Sequence, residues 1–455
     1  MNELKHLADF ISSFHLTDAP EEVVLSAKYC TLDTIGTALG GISNPLFRNI
    51  KKTYLDFDRN CASDTALWGT SQKAALRTGV FLNAMSGHIL ELDDVHITSK
   101  THIGTVVIPA AWCLAEYLGK NGKDFLEAVI CGYETMARIG MGFGVSSHRN
   151  KGWHVTGTAG TFGAAAACGK LLGFDSQQIL DALGLAGTQS CSTWAFLSDG
   201  STNKILHPAR AALSGLESCF LVLGGMRGSS RILDADDGGL FPMMSDAYDY
   251  SLVDKALGSV FEILHVDKKP YPCCRSTHCA IAAAILLKNK YSVHPQEIDH
   301  VEIETYLVGL KQCGASHGSI HPKLPTDAKF STPYVTACAL LHGQIGLEDF
   351  APDVIYQDDR QKLLAKVQVT EHPDFTSRYP KHWGCRMNIY MKNGAVLTQE
   401  IRDASGSVSL PLSKKQLADK VISCCSSFDP KQLSLMITAI LELSEKNKLP
   451  SLLFS

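Results

Sequence analysis

Residues 157–173, GTAGTFGAAAACGKLLG, constrain the fold of this chain more than any other stretch, because nearly every side chain in them is small and the spacing is helical. A helix with little side chain of its own must lie close against its neighbours to bury anything. The segment therefore predicts tightly packed helices, a compact bundle, and not a phosphate-binding loop. No G-x-x-x-x-G-K-[ST] occurs, and no G-x-G-x-x-G lies between a strand and a helix, so a nucleotide site has no sequence support.

The rest of the first 260 residues read the same way. Leu4, Leu7, Ala8, Ile11 and Phe14 keep helical spacing, and Asp18-Ala-Pro-Glu21 reads as a capping box opening a helix that runs to about Leu39. Further helical patterns cover roughly 71–90, 105–119, 123–141, 155–172, 177–186 and 207–225. From about 262 the texture changes. FEILHVDKKPY, IDHVEIETYLV, LLAKVQVTEH and GCRMNIYMKNGAVLTQEI alternate and are rich in β-branched residues, and Asn393-Gly394 signals a hairpin. Helices return at 412–424 and 430–446. The expected fold class is mainly α with α+β: residues 1–262 and 405–455 form a helical domain, and 263–404 an inserted α+β lid domain.

A chain of 455 residues, 45% hydrophobic and 19% charged, has ample core to enclose a pocket. Its formal charge of −4 gives no reason to expect nucleic acid, and no basic block suits a membrane surface. The opening MNELKHLADFISSFHL reads as an amphipathic helix and not as a signal peptide, so a cytoplasmic protein is expected. The fifteen cysteines are odd in number, scattered and without a C-x-x-C, which predicts buried thiols and neither disulfides nor a zinc site.

The densest polar stretch is GHILELDDVHITSKTHIGTVVIPAA, residues 87–111, with Glu91, Asp93, Asp94, His88, His96 and His102. The three histidines are eight and six residues apart, which does not place them on one helical face, so no metal is expected. The plain alternative is that Asp93 and Asp94 end one helix while Thr98–Thr101 cap the next. Four other stretches carry charge into helix starts. NKGWHVTGTAG sets His154 just before the small-residue helix, where the helix dipole favours neutral imidazole. STNKILHPARAAL holds Lys204, His207 and Arg210; DKKPYPCCRSTHCA holds Lys268, Lys269, Arg275 and His278; TDAKFSTPYVTA holds Lys329, Ser331 and Tyr334. Cations preceding helix N-termini favour anions, which points to a small-molecule ligand with several carboxylates.

Taken together, LDTIGTALGG, GHILELDDVH…THIG, GWHVTGTAGTFGAAAACGKLLG, KILHPARAALSG, KPYPCCRSTH and AKFSTPYVTACALLHG resemble the MmgE/PrpD family over nearly the whole chain. The resemblance implies a large helical domain with a smaller α+β lid, usually a homodimer, no metal or organic cofactor, and chemistry at a proton on carbon next to a carboxylate. It implies catalytic roles for His102, His154, Asp93, Lys204 and Tyr334, and substrate-binding roles for Glu91, Asp94 and Lys269; the polar stretches themselves add His96, Arg275 and His207 as substrate-binding candidates. Three positions depart from the family pattern: Val95 follows Asp94 where Thr is common, Glu91 replaces a shorter Asp, and Ile103 follows His102 where Pro is usual. The expected activity is that of a lyase on a di- or tricarboxylate, chiefly a dehydratase and otherwise a decarboxylase. An epimerase of a dicarboxylate and a non-catalytic carboxylate-binding homologue are the alternatives.

Overall fold

The computed structural model describes residues 2–454, and these divide into two compact units. The first comprises residues up to Trp194, Ile205–Lys268 and the C-terminal stretch from Ser413; the second comprises Ala195–Lys204 and Lys269–Leu412. The chain is mainly helical, with one substantial sheet. No helix among the described residues is long and apolar enough to cross a membrane.

In the first unit the small-residue segment is the helix Val155–Leu171, buried along almost its whole length between the helices Gly122–Gly142 and Leu206–Leu223. The close approach needs glycine: a Cβ on Gly163 would stand 2.7 Å from Met136 Cβ, and one on Gly215 2.4 Å from Ala164 Cβ. The helix near the N-terminus runs Glu21–Gly41, but Pro20 is its N-cap residue. Asp18 belongs to the preceding turn, where its carboxylate accepts from the His15 N–H at 3.0 Å. The capping box read from the sequence is thus displaced by one short turn.

The stretch 261–271, expected as a strand, is one only at Val266–Asp267, which pairs antiparallel with Val95–His96. Glu262–His265 forms a 3-10 turn instead. The reason is a buried side chain: Glu134 Oε1 accepts from the backbone N–H of Glu262 at 2.6 Å and of Ile263 at 3.3 Å, while Arg138 Nε holds Oε2 at 3.0 Å. Those amides are therefore not available to a ladder. The same pairing explains why residues up to Lys268 belong to the helical unit and not to its neighbour.

The second unit is built on a four-stranded sheet in the order Val367–Glu371, Ile298–Thr305, Cys385–Met391, Val396–Ile401. The first pair is parallel and the others antiparallel. The last two strands are joined through Asn393-Gly394, with Gly394 at φ 86° and Met391 N donating to Ala395 O at 2.8 Å, the hairpin its dipeptide predicts. Helices His278–Tyr291 and Thr332–His342 supply the other half of its core. Ala404 joins that core, and the Ser407–Leu410 turn follows it, so this unit extends to Leu412. Phe196 packs on Phe330 at 5.9 Å between ring centres, which ties 195–204, and Lys204 with it, to the second unit.

The fifteen cysteines, all among the described residues, form no disulfide. Most are buried, and burial pushes Cys30 up to about 11 and Cys131 up to about 12.

Candidate active site

The helix Leu76–His88 ends at the polar stretch, and the chain then reverses. The reversal runs through Glu91, whose φ of 58° lies in the left-handed region that residues with a Cβ seldom adopt. Adjacent carboxylates diverge after it. Asp94 turns toward the helix Gly104–Leu118 and caps it: Oδ1 accepts from Gly104 N at 2.9 Å, and Oδ2 from the Tyr133 hydroxyl at 2.6 Å. Burial pushes the Asp94 carboxyl up to about 7, and the nearby Asp33 adds to it, against the hydrogen bonds from Tyr133 and Gly104. The capping reading of this segment therefore describes Asp94, although the cap comes from the aspartate and not from Thr98–Thr101.

Asp93 turns the other way, between two imidazoles. Its Oδ2 lies 2.9 Å from His88 Nδ1 and 3.1 Å from His102 Nδ1, and the two rings meet edge to face at 4.7 Å. Burial alone would raise the Asp93 carboxyl, but the charges and hydrogen bonds of His88 and His102 outweigh it and hold the group well below the ordinary carboxylate range. His102 Nδ1 also lies 3.0 Å from the Asp94 carbonyl oxygen. Both partners accept, so Nδ1 carries the hydrogen and Nε2 is the ring nitrogen that exchanges a proton. Glu91 faces that edge, with Oε1 3.9 Å from His102 Nε2.

His154 is the N-cap residue of the small-residue helix, as its position in the sequence predicts. Its ring centre lies 6.3 Å from that of His102. Trp194 packs edge to face on it at 4.8 Å, and Arg149 stacks over Trp194 at 4.3 Å. His207, expected to bind substrate, instead places its Nδ1 2.8 Å from His154 Nδ1. One imidazole of that pair donates and the other accepts.

The spacing argument fails for two of the three histidines of 87–111: His88 and His102 do converge, because the turn at Glu91 brings a helix end beside a helix start. His96 goes elsewhere. Ser99 N–H donates to its Nδ1 at 3.1 Å, so Nε2 carries the proton and donates to Glu262 Oε2 at 3.1 Å; the same oxygen takes His265 Nδ1 at 3.1 Å. Burial works to raise Glu262, and the hydrogen bonds from His265 and His96 hold it well below the usual range. His88, Asp93 and His102, and likewise His96, Glu262 and His265, bring potential ligand atoms within 4.8 Å of one another. In both groups the ring N–H bonds already point at the carboxylate, so hydrogen bonding accounts for the arrangement.

The remaining expected residues lie in the second unit. Lys204 is buried, with its ammonium 5.3 Å from the Phe330 ring centre, and Lys269 is fully buried. Arg275 is buried as a tie within the fold, donating to the carbonyls of Ser405 at 3.1 Å and Ala404 at 3.3 Å and to His278 Nδ1 at 3.0 Å. Tyr334, expected to face substrate, is part of the second unit's core, its hydroxyl donating to the Asp349 carbonyl. These bonds give Arg275 and Tyr334 a part in holding the second unit together. His88 is the site residue that reading by helical spacing passes over; the signal for it was its place within a short run holding three carboxylates and three histidines.

Residues 5–252 match the MmgE/PrpD N-terminal domain and residues 271–446 the MmgE/PrpD C-terminal domain, so the chain belongs to the MmgE/PrpD family. It is similar to the cis-aconitate decarboxylase of Aspergillus terreus, 26% identical over 92% of this chain and 88% of that one. It is 26% identical to the cis-aconitate decarboxylase of Homo sapiens, over 89% of this chain and 83% of the other. The mitochondrial 2-methylcitrate dehydratase of Yarrowia lipolytica is 21% identical over 87% of this chain and 78% of its own.

Proposed function

We propose that this chain is a lyase that works without a cofactor on a di- or tricarboxylate, transferring a proton at the carbon next to a carboxylate. One observation carries the reading: two buried imidazoles, His102 and His154, lie 6.3 Å apart with different backing, a carboxylate behind one and a second imidazole behind the other. Environments that differ in this way separate an acid from a base. Asp93 favours the imidazolium of His102, which suits a general acid. His154, sharing one proton with His207, suits a base.

Of the reactions open to such a pair, decarboxylation comes first, because relatives named cis-aconitate decarboxylase resemble the chain at 26% identity against 21% for a dehydratase. In a β,γ-unsaturated acid the C–C bond to the departing CO₂ supplies the electron pair. That pair becomes the new double bond, the old double bond shifts, and the carbon next to the remaining carboxylate takes a proton from His102 Nε2. The imidazolium is restored from water. In a dehydration His154 would remove the proton from carbon while His102 protonates the departing hydroxyl. Lys204 and Lys269 are assigned to carboxylate recognition on the sequence alone, and a homodimer follows from the family resemblance.

Proton NMR in D₂O tests the reading with cis-aconitate, citrate, 2-methylcitrate and a dicarboxylate α-imino acid. Release of CO₂ with one deuterium in the product supports a decarboxylase, and loss of water a dehydratase. Deuterium entering one carbon of an unchanged skeleton would replace the lyase by an epimerase. Carboxylate binding without exchange or turnover would leave a binding homologue.

A further inference from the structure

His88 is the last residue of the helix Leu76–His88 and is 1% exposed. Its Nδ1 shares Asp93 Oδ2 with His102 Nδ1, at 2.9 and 3.1 Å. Asp93 Oδ1 has no hydrogen-bond partner among the described residues, so the two imidazoles are what orient this carboxylate. His88 Nε2 also has no hydrogen-bond partner among the described residues and faces Glu91 Oε2 at 3.8 Å; His102 Nε2 faces Glu91 Oε1 at 3.9 Å. The two histidines thus stand in nearly equivalent places, each with one nitrogen on Asp93 and the other toward Glu91. They differ in that His102 Nδ1 also reaches the Asp94 carbonyl oxygen at 3.0 Å and its ring neighbours His154.

We propose that His88 is a positioning residue for His102: it orients Asp93 and carries the positive charge that Asp93 requires whenever His102 has passed its proton on. When His102 gives up the Nε2 proton, the N–H bonding pair stays on nitrogen, the new C–H bond takes the proton, and the ring becomes neutral. The buried Asp93 anion would then lack a partner cation, an expensive state in a dry interior. A protonated His88 removes that difficulty without moving an atom, because its Nδ1–H already lies on Oδ2. The groups that face His102 are Asp93, Glu91 and His88 from the helix end and its loop, and His154 from the head of the next helix. Thr156 Oγ1 accepts from its backbone N–H at 3.1 Å, and His207 stands behind His154. His88 is the second imidazole on Asp93 Oδ2, and so the group placed to offer the missing charge from that side. The proton-transfer half of the inference rests on the lyase reading; the control of His102 by His88 does not.

The test is ring-nitrogen NMR of the full-length chain labelled with ¹⁵N-histidine, followed over about pH 5 to 9, with His102 identified by the signal missing from His102→Gln. His88→Asn keeps an N–H toward Asp93 but cannot take a charge. In that variant His102 is expected to hold both ring protons to higher pH than in the wild type, since it alone must balance Asp93. Asp93→Asn is expected to do the reverse. An unchanged His102 titration in His88→Asn, with the other histidine signals intact, overturns the proposal. Should His88→Asn not fold, His88→Gln carries the same test. With any substrate the wild type converts, His88→Asn should lower kcat roughly tenfold at unchanged KM, less than loss of the proton carrier itself. A loss of activity that follows only a fall in Tm, with the pH profile of kcat unmoved, also counts against it. If no substrate is converted, the lyase reading fails while the NMR result still decides the role of His88.

Discussion

The Nδ1 atoms of His154 and His207 lie 2.8 Å apart, close enough that a single proton sits between them. A second proton on that line would set two N–H groups against each other, so one ring donates from Nδ1 and the other accepts. His207 is tied to His154 by that hydrogen bond.

His154→Gln and His102→Gln should each lower kcat by about 10² to 10⁴ if the ring transfers the proton. His207→Asn, which keeps one N–H toward His154, should lower kcat by less and leave KM nearly unchanged. A rise in KM at constant kcat would return His207 to the substrate-binding role expected from the sequence. Steady-state kinetics on all three variants separate these outcomes.

Asp93 is held well below the ordinary carboxylate range in the folded chain, while an unfolded Asp titrates near about 3.9. Unfolding then takes up a proton at acid pH, so stability rises with pH in that window. The contribution is present above about pH 4 and is lost as pH falls toward the lower, folded value. Thermal melts should show Tm dropping in that range, and Asp93→Asn should lack part of the drop.

Asp94 has the opposite sign. Its carboxyl is pushed up to about 7 in the folded chain, so the native state binds the extra proton between roughly pH 4 and 7. Its ionisation penalises folding progressively across that window and fully above it. Asp94→Asn can still accept from Gly104 N and donate to the Tyr133 oxygen. Its stability relative to wild type should climb as pH rises from about 4 to 7 in paired denaturant titrations, and a pH-independent difference would count against this account.

Gly104 is where the Asp94 cap meets the helix core. A Cβ there would stand 2.2 Å from Thr34 Oγ1 and 2.8 Å from the Tyr133 hydroxyl oxygen. Gly104→Ala should cost about 1–3 kcal/mol through overpacking, with activity at low temperature falling further than Tm because Asp94 and the His102 loop shift together.

Arg275→Lys separates structure from substrate binding. The guanidinium reaches two carbonyls and His278 at once, a geometry an ammonium cannot reproduce. A fall in Tm with KM little changed is expected. A large rise in KM at unchanged Tm would restore Arg275 to carboxylate recognition.

What the sequence determined by itself is local. The small-residue run settles a helix and its close neighbours, because no larger side chain would fit where Gly163 meets Met136. Asn393-Gly394 settles a hairpin, because the turn needs positive φ. His154 is legible as a helix N-cap, and the crowding of charge in 87–111 marks the site. Tertiary structure decided the partners. His88 meets His102 only because the chain reverses at Glu91, and His154 meets His207 only because two helices, 53 residues apart at that point, begin side by side. In one dimension Arg275 and Tyr334 are polar residues near helix starts; packing buries both in the second unit, Arg275 on the Ala404 carbonyl and Tyr334 in the core. Helical spacing and capping are properties of neighbouring residues, so a string of letters contains them. Tautomer, charge and orientation belong to groups brought together across the chain, and only the folded packing settles which of them touch.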